Sequence, residues 1–520
     1  MRRLARFLLP ASLFLFAATA FSPAPTASAQ GTGDLGPISL DSLTVLEPSS
    51  VYRPFDMLGI RAGAHGWAMG GAYVSLASGI EGIAWNPAAM GWAERPELAA
   101  DLTWLSSSST SSSSLDELVI PEIATLRITS YDVRLKSQVR SGILGAGMPL
   151  ASIGGRNLAG GVSFRRYMTV AYPEETVSTL VSLEGGFPVT FAYDGQEKGG
   201  IDAGAATIAV EAIPGVLSVG ANLNILDGRL RTRKNLLSAG GQAAIVGHSN
   251  VKFRYAGRSV DLGLQLRKED LFSVGLRYTP GYTLEVTGGS YSSRFPSQSG
   301  GEEFDLLDVS IAGYDLDVPP LLSVGGSVRP LAYAPLSSHG FLGSLSSITL
   351  AFGLDQQNWS EAEARYRTAV KALRGPGGYP CFEGAPYCTE EPAPDPSLPL
   401  NDVTSVHFGA EWRYLRIGKI DIPLRFGYQA GALSMTDLPD SNSFMARKWK
   451  GEEIQSSGVT MGFGVETGSV RYDLSYEIVD YDLHKFHYDT PEHPFLNPNW
   501  SYVDVSRRNA RLRLSATLKL

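Results

Sequence analysis

A period-two alternation of apolar and polar side chains recurs along the chain and restricts its fold more than any other feature. In one segment Phe408 and Trp412 alternate with His407 and Glu411. The pattern returns near 472–478 and again at the C-terminus. Successive side chains of a β-strand point to opposite faces, so each segment predicts a strand with one apolar and one polar face.

The order of connections separates two all-β folds that share this alternation. A soluble sandwich turns its apolar faces inward, whereas a membrane barrel turns them toward lipid and encloses a polar lumen. Outer-membrane barrels alternate short periplasmic turns with long external loops. Counting back from the C-terminus gives about fourteen strands, with short turns at 214–215, 268–270, 417–419 and 466–468. We therefore predict an all-β fold, a transmembrane antiparallel β-barrel with both chain ends at the periplasmic side.

The connections at the other end of the strands are predicted to be long loops. They cover 174–198, 228–257, 357–402, 437–453 and 484–500. Two places fit the alternation of short turns and long loops less well. Residues 331–344 are long for a periplasmic turn, and 125–137 has the pattern of an extension of the second strand.

Composition agrees with a membrane barrel. The chain has 57 Gly, 22 Tyr, 21 Phe and 8 Trp, and only 18% of its residues are charged. Glycine suits turns, and aromatic side chains suit the two membrane interfaces. The net charge of −8 argues against a nucleic-acid partner, which would require basic patches.

The first thirty residues have the three-part pattern of a secretory signal peptide. Three arginines among the first six residues precede an apolar run over 7–21, and small residues at 27–29 offer a cleavage site. The alternative is a membrane-anchoring helix, but Pro10 interrupts the run, which is shorter than the ~20 residues that a spanning helix needs. We expect 1–29 to be removed.

The segment before the first strand carries a family resemblance. It reads AGAHGWAMGGAYVSLA over 62–77 and GIEGIAWNPAAM over 79–90. It resembles the FadL/TodX family of outer-membrane transporters and their PorV-type relatives, in which an MGGA segment, a small acidic stretch and an N-P-A motif precede the first strand. Ser78 and Gly79 stand where the family has two aspartates. Later strands, such as 405–414, are also similar.

The resemblance implies a fourteen-stranded barrel whose N-terminal segment folds inside the lumen as a hatch. The predicted organisation is a signal peptide over 1–29, a hatch over 30–95 and a transmembrane barrel with long external loops over 96–520.

The same resemblance places Asn86, Pro87 and Ala88 at a hatch-to-barrel junction that gates the passage. Gly70 and Gly71 would let the hatch backbone pack closely inside a crowded lumen. The alternative is a purely structural plug with no gating role.

Transport of an apolar ligand would require an apolar pocket with few polar groups. We predict an amphipathic helix over 360–374, with Tyr366, Val370 and Leu373 on one face, as part of a hydrophobic capture groove. The alternative is an ordinary amphipathic helix that covers the barrel mouth.

Two loops carry residue types that bind metals or form cross-links. Cys381 and Cys388 lie close together and are predicted to form a disulfide, with a metal site as the alternative. His484, His487 and His493 share one external loop, where an exposed polar loop is the simpler interpretation and a metal site the alternative.

The sequence lacks the motifs of common enzymes and cofactor sites, including HExxH, GxSxG, a P-loop and an EF-hand loop. We therefore expect no enzymatic activity, cofactor or metal. Carboxylates such as Glu411, Asp473 and Glu477 are expected to line a wet lumen.

Taken with the resemblance, these features predict an outer-membrane channel for long-chain fatty acids or other hydrophobic small molecules, surrounded by outer-membrane lipid. The main alternative is a PorV-like barrel that binds exported proteins for a secretion or surface-attachment system. A structural or weak pore is the third alternative.

Overall fold

The structure is a computed structural model of the 520-residue chain. The residues it describes are 61–111, 118–120, 124–134, 138–183, 189–240, 243–268, 271–287, 290–296, 303–310, 313–332, 344–368, 371–374, 389–392, 400–436, 453–483 and 505–520.

Strands dominate the described residues. The first twelve are β1 (Glu97–Ser111), β2 (Leu118–Ile120), β3 (Ala124–Arg134), β4 (Gln138–Ile153), β5 (Arg156–Leu183), β6 (Val189–Ile213), β7 (Leu217–Gly240), β8 (Ala243–Lys268), β9 (Phe272–Thr279), β10 (Tyr282–Thr287), β11 (Ser290–Pro296) and β12 (Glu303–Ser310). The others are β13 (Tyr314–Val318), β14 (Leu321–Val328), β15 (Ile348–Gln357), β16 (Glu363–Tyr366), β17 (Lys371–Arg374), β18 (Thr389–Pro392), β19 (Val403–Ile417), β20 (Ile420–Thr436), β21 (Glu453–Glu466), β22 (Val470–Leu483) and β23 (Val505–Lys519).

Fourteen of these strands form a closed antiparallel ring. In order around the ring they are β1, β4, β5, β6, β7, β8, β9, β14, β15, β19, β20, β21, β22 and β23. Pairing of β1 with β23, from Glu97 opposite Lys519 to Ser111 opposite Val505, closes the ring. Closure leaves no open edge in lipid, as a membrane barrel requires. The predicted fourteen-stranded barrel is confirmed.

The apolar faces of the ring point outward. Phe352 on β15 and Phe408 on β19 face each other across the strand pair and are 56% and 54% exposed, whereas the inward Asp355 and His407 are buried. Leu, Ile, Val, Phe and Met side chains occupy the outward positions of the other ring strands in the same way. This inside-out arrangement is that of a lipid-embedded barrel, so the predicted orientation of the alternating segments is confirmed.

Residues 61–96 pass through the inside of the ring. They contain the helix α1 (Ala64–Ala68), the helix α2 (Gly79–Gly82) and the 3₁₀ helix η1 (Pro87–Trp92). Nearly every residue between 61 and 93 is buried. The lumen of a membrane barrel is, by contrast, ordinarily polar and open to water. We call the described residues 61–96 the hatch segment, or hatch, for their position inside the ring. The predicted hatch domain over 30–95 stays a prediction, and its residues 30–60 lie outside the described residues. The predicted signal peptide over 1–29 lies outside the described residues too.

Several strands continue beyond the lipid-facing belt. The predicted loops at 174–198 and 228–257 are wrong, because β5 runs to Leu183, β6 begins at Val189, and β7 and β8 are paired as far as Gly240 and Ala243. The predicted extension over 125–137 is present as β3, which pairs with the outer part of β5.

The predicted helix over 360–374 is also wrong. A short 3₁₀ helix, η2 (Trp359–Glu361), is followed by the strand β16, which pairs with β13, and then by β17, which pairs with β18. Arg365 and Arg367 bond to Asp317 and Asp315, so this segment extends the barrel wall.

None of the helices in the described ranges is long and apolar enough to cross a bilayer.

Candidate functional site

Asn86 joins the hatch to the barrel wall. It caps the N-terminus of η1, where its side-chain oxygen accepts a hydrogen bond from Ala88 N at 3.1 Å. Its amide nitrogen donates to Val74 O within the hatch at 3.1 Å and to Leu264 O of β8 at 3.0 Å. The side chain is fully buried, so its polar atoms must be satisfied inside the protein. Pro87 at the first helical position suits this turn.

Glycines on both sides allow the hatch to lie against the wall. Gly70 has a φ of 65°, a conformation that favours glycine, and its carbonyl oxygen lies 2.8 Å from Nδ1 of His407. A Cβ added to Gly427 of β20 would lie 2.0 Å from Gly70 N. Other wall glycines whose added Cβ would meet the hatch backbone or side chains within 3 Å are Gly145, Gly147, Gly161, Gly220, Gly263, Gly275, Gly409 and Gly462.

Ion pairs also fasten the hatch. Arg61 contacts Asp355 of β15 at 2.5 Å, and Nε2 of His407 lies 2.9 Å from the other oxygen of Asp355. On another side of the lumen, Glu81 of α2 pairs with Arg471 of β22. All these side chains are buried, where loss of one partner would leave an uncompensated charge. The hatch is therefore held by charges from two sides of the ring.

The carboxylates predicted to line the lumen do face inward, but they are buried in ion pairs. Arg425 bridges Glu411 and Asp473, at 2.7 Å to each. His65 of the hatch lies 3.0 Å from Glu411, and Glu477 pairs with Arg513 at 2.6 Å. These contacts link the hatch to a charged belt on the inner wall.

A second ionic cluster lies on the opposite wall. Asp261 of β8 accepts hydrogen bonds from Arg165 at 3.1 Å, Arg277 at 3.0 Å and Thr279 at 2.7 Å. Arg277 also donates to Ala84 O of the hatch at 3.0 Å. Two guanidinium groups share this single buried carboxylate, so the cluster has an excess of positive charge.

Above this cluster, toward the end of the barrel opposite the short β4–β5 and β19–β20 turns, the inner wall becomes apolar. Seventeen buried residues contributed by neighbouring strands form one cluster, here called the apolar cluster: Met168, Ile201, Ala203, Leu226, Leu230, Phe253, Tyr255, Leu284, Val286, Tyr314, Leu316, Val318, Trp359, Ala362, Ala364, Leu400 and Val403. Tyr167, Tyr282 and Tyr366 pack against it.

The strand β8 shows how the inner wall is layered. Its inward side chains run from Phe253 and Tyr255 in the apolar cluster, through Asp261 in the ionic cluster, to Gln265 beside the hatch. Gln265 donates to Ser75 O at 2.5 Å and accepts from Trp92 at 2.6 Å. A molecule moving down this wall would meet an apolar layer, then fixed charges, then the hatch.

The structure places the predicted site residues unevenly. Gly70, Gly71, Asn86, Pro87 and Ala88 lie together in the hatch, and Ser218 of β7 donates to Ala88 O at 2.7 Å. A Cβ added to Gly71 would approach His407 Nδ1 to 2.7 Å. Their gating role stays a prediction.

The predicted ligand-binding residues lie at or beyond the edge of the apolar cluster. Tyr366 is half-buried against it. Leu373 has its backbone in β17, opposite Glu390, while its side chain and Val370 lie outside the described residues. Cys381, Cys388 and the predicted histidine loop also lie outside them.

Sequence reasoning missed Arg61, Arg165, Asp261, Arg277 and the apolar cluster. The sequence could have identified the charged residues of the wall strands among these, because charged residues on the polar side of a lipid-facing strand must point into the lumen. In the part of the chain that the structure describes, no group of three or more His, Cys, Asp or Glu side chains is arranged to hold a metal ion.

Comparison with known proteins identifies the fold. No protein-family model matches the chain, and no curated protein matches it. A FadL homologue from Pseudomonas aeruginosa aligns with a TM-score of 0.51 and 10% identity, covering 88% of this chain and 98% of that one. The Ralstonia pickettii toluene transporter TbuX aligns with a TM-score of 0.47 and 11% identity, covering 89% and 100%. The first of these likenesses shows that the chain has the barrel fold of a FadL homologue.

Proposed function

We propose that this chain is an outer-membrane channel through which hydrophobic small molecules enter the cell. The observation that carries the proposal is the apolar cluster, which lines the wall directly above the ionic cluster and the hatch. Lumens of membrane barrels are ordinarily polar, and an apolar lining with a few polar groups is the usual chemistry of a site for hydrophobic ligands.

The ionic cluster favours ligands that also have an anionic end. Arg165 and Arg277 share Asp261, and the Nε atoms of both have no hydrogen-bond partner among the described residues. Tyr167, which packs against the apolar cluster, lies under the Arg165 guanidinium at 5.7 Å. A carboxylate could bond to these guanidinium groups while its chain lies in the apolar cluster. Long-chain fatty acids are therefore our preferred substrates.

Passage requires the hatch to move. Residues 61–96 are held by hydrogen bonds and ion pairs to several parts of the ring, and the segment from Asn86 to Ala88 contacts both β7 and β8. We assign to this segment the role of gate, which releases the ligand when the contacts to Leu264 and Ser218 are broken. Export by the signal peptide over 1–29 would deliver the chain to the outer membrane.

The test is uptake of labelled oleate and of a labelled alkane by vesicles that contain the purified full-length chain. Leu284→Asn places an amide in the apolar cluster, and Thr283→Asn changes its exposed outward neighbour. Since burial of a leucine side chain is worth about 1.5–3 kcal/mol, we expect Leu284→Asn to weaken oleate binding about tenfold or more and to reduce oleate uptake below saturation to match. Thr283→Asn should bind like the original chain.

Vesicles that take up neither ligand would contradict the channel. The PorV-like alternative would then gain support if the chain, purified from its native membrane, carried a stoichiometric protein partner. Equal uptake by the two variants would show that the apolar cluster is only a structural core.

A further inference from the structure

The outer faces of β7 and β8 change character at one level of the barrel. On β7 the outward Leu223 and Ile225, which are 50% and 60% exposed, are followed by the outward Asp227, Arg229 and Arg231. Inward positions change in the opposite sense, from Asn222 and Asn224 to Leu226 and Leu230. An apolar outer face belongs in hydrocarbon and a charged outer face in water or among headgroups. The change therefore marks the edge of the bilayer on the side with the long connections.

The strand β8 changes at the same level. Its outward Val260, Leu262 and Leu264 give way to Arg258, Arg254 and Lys252, all exposed. We call Arg229, Arg231, Lys252, Arg254 and Arg258 the basic patch. These five cations lie on two adjacent strands, within a few residues of the last lipid-facing side chains.

Cations stand directly opposite each other in this patch. The register places Arg229 opposite Arg254 and Arg231 opposite Lys252. Like charges directly opposite each other on one face destabilise a strand pair. Asp227 bonds to Arg254 at 3.0 and 3.2 Å. The flanking strands add Asp202, opposite Asp227, and Glu285, opposite Ala256, and these two carboxylates pair with Arg166 and Arg367. A phosphate beside Arg229 and Arg254 would stabilise the pairing of these two cations.

We propose that the basic patch binds the phosphate groups of an outer-leaflet lipid, seated against β7 and β8. Guanidinium groups bind phosphate through paired charge-assisted hydrogen bonds. The acyl chains of such a lipid would lie on Leu223, Ile225 and Val260, directly below the cations. A free anion would not use those apolar side chains, and this continuity of apolar and basic surfaces favours a lipid whose headgroup carries phosphate. This inference is independent of the transported ligand.

Binding of diphosphoryl lipid A to the detergent-solubilised full-length chain, followed by native mass spectrometry, tests the proposal. The variant combines Arg229→Gln, Arg231→Gln and Lys252→Gln and leaves the Arg254–Asp227 pair in place. The matched control combines Arg156→Gln, Lys268→Gln and Lys419→Gln, which removes three exposed cations at the opposite end of the barrel. We expect the variant to lose affinity about tenfold or more, and the control to bind like the original chain. Lipid A without its phosphates should bind as weakly as the variant does.

Three results would overturn the proposal: equal affinity in the variant and the original chain, equal affinity for lipid A with and without phosphate, or an equal loss in the control. Two measurements on the original chain remain informative if the variant fails to fold. Lipid A binding should weaken as salt concentration rises, because salt screens exposed charges. It should also resist competition by inorganic phosphate, since a site for free phosphate alone would be displaced.

Discussion

The side-chain amide nitrogen of Asn86 lies 3.0 Å from the carbonyl oxygen of Leu264, so a single hatch side chain is hydrogen bonded to the backbone of a barrel strand. The same nitrogen bonds to Val74 O, and the side-chain oxygen accepts from Ala88 N. One buried amide thus joins two parts of the hatch to each other and joins the hatch to the barrel wall. An aspartate of the same size has no donor when ionised and could not make the two donated bonds.

Replacing Asn86 with alanine should loosen the hatch without opening the ring. The change leaves buried carbonyl oxygens of Val74 and Leu264 without this donor, at a cost of about 1–3 kcal/mol. We expect faster amide hydrogen exchange over 74–90 and unchanged exchange in β19 to β23. Gln356→Ala, at an exposed outward position, is the control. Uniform protection in the Asn86→Ala variant would show that the contact does not hold the hatch.

Close approach of the hatch to the wall predicts a contrast between two glycines. A Cβ at Gly427 would lie 2.0 Å from Gly70 N, whereas one at Gly204 meets nothing within 4 Å. Overpacking of this kind costs about 1–3 kcal/mol. Gly427→Ala should displace the hatch and raise the ion conductance of the channel in planar bilayers, whereas Gly204→Ala should conduct like the original chain. Identical conductance in the two variants would contradict the observed packing.

The sequence predicted the ring well because each ring strand has the same two faces throughout the membrane. Alternation around Phe408 and Glu411 located β19, and turn residues such as Gly418, with a φ of 62°, separated it from β20. The expected junction at Asn86 came instead from the family resemblance of the N-P-A motif, and its gating role stays a prediction. Local alternation was sufficient to predict a strand where its outer face stays apolar and its inner face polar along the whole strand.

The same reasoning failed where the faces exchange. Beyond Ile225 the outward positions of β7 become charged and the inward ones apolar, so polar residues that suggested a loop belong to a paired strand. The ionic partners of Asp261 lie 96 and 16 residues away, at Arg165 and Arg277. Such contacts follow from the ring order, which no local pattern contains.

Asp261 should be essential to the stability of the barrel. Asp261→Asn would leave Arg165 and Arg277 buried without their counter-ion, and loss of one partner in a buried ion pair costs about 3–5 kcal/mol. The control is Asp317→Asn, which removes a partner of the exposed Arg365 and should cost about 1 kcal/mol or less. Guanidinium unfolding of both variants in lipid vesicles gives the comparison. A similar loss in both would mean that the cluster is hydrated and contributes little.

The indole nitrogen of Trp359 supplies the sharpest test of how a ligand is held. Trp359 is buried in the apolar cluster, and its Nε1 has no hydrogen-bond partner among the described residues. An unbonded buried donor of this kind is costly, and a polar group of a bound ligand could accept its hydrogen bond. Trp359→Phe keeps most of the apolar bulk and removes only the donor.

If a ligand oxygen accepts from Trp359, the Trp359→Phe variant should bind dodecanol about two- to tenfold more weakly, which is the effect of one lost hydrogen bond. Binding of dodecane, which has no acceptor, should be unchanged. Trp412→Phe serves as the matched control, because Trp412 donates to Ser344 O at 3.1 Å outside the apolar cluster. Binding of each ligand is measured by displacement of a fluorescent fatty acid from the purified chain. Equal losses for dodecanol and dodecane would assign Trp359 a packing role, because the donor would then make no difference between the two molecules.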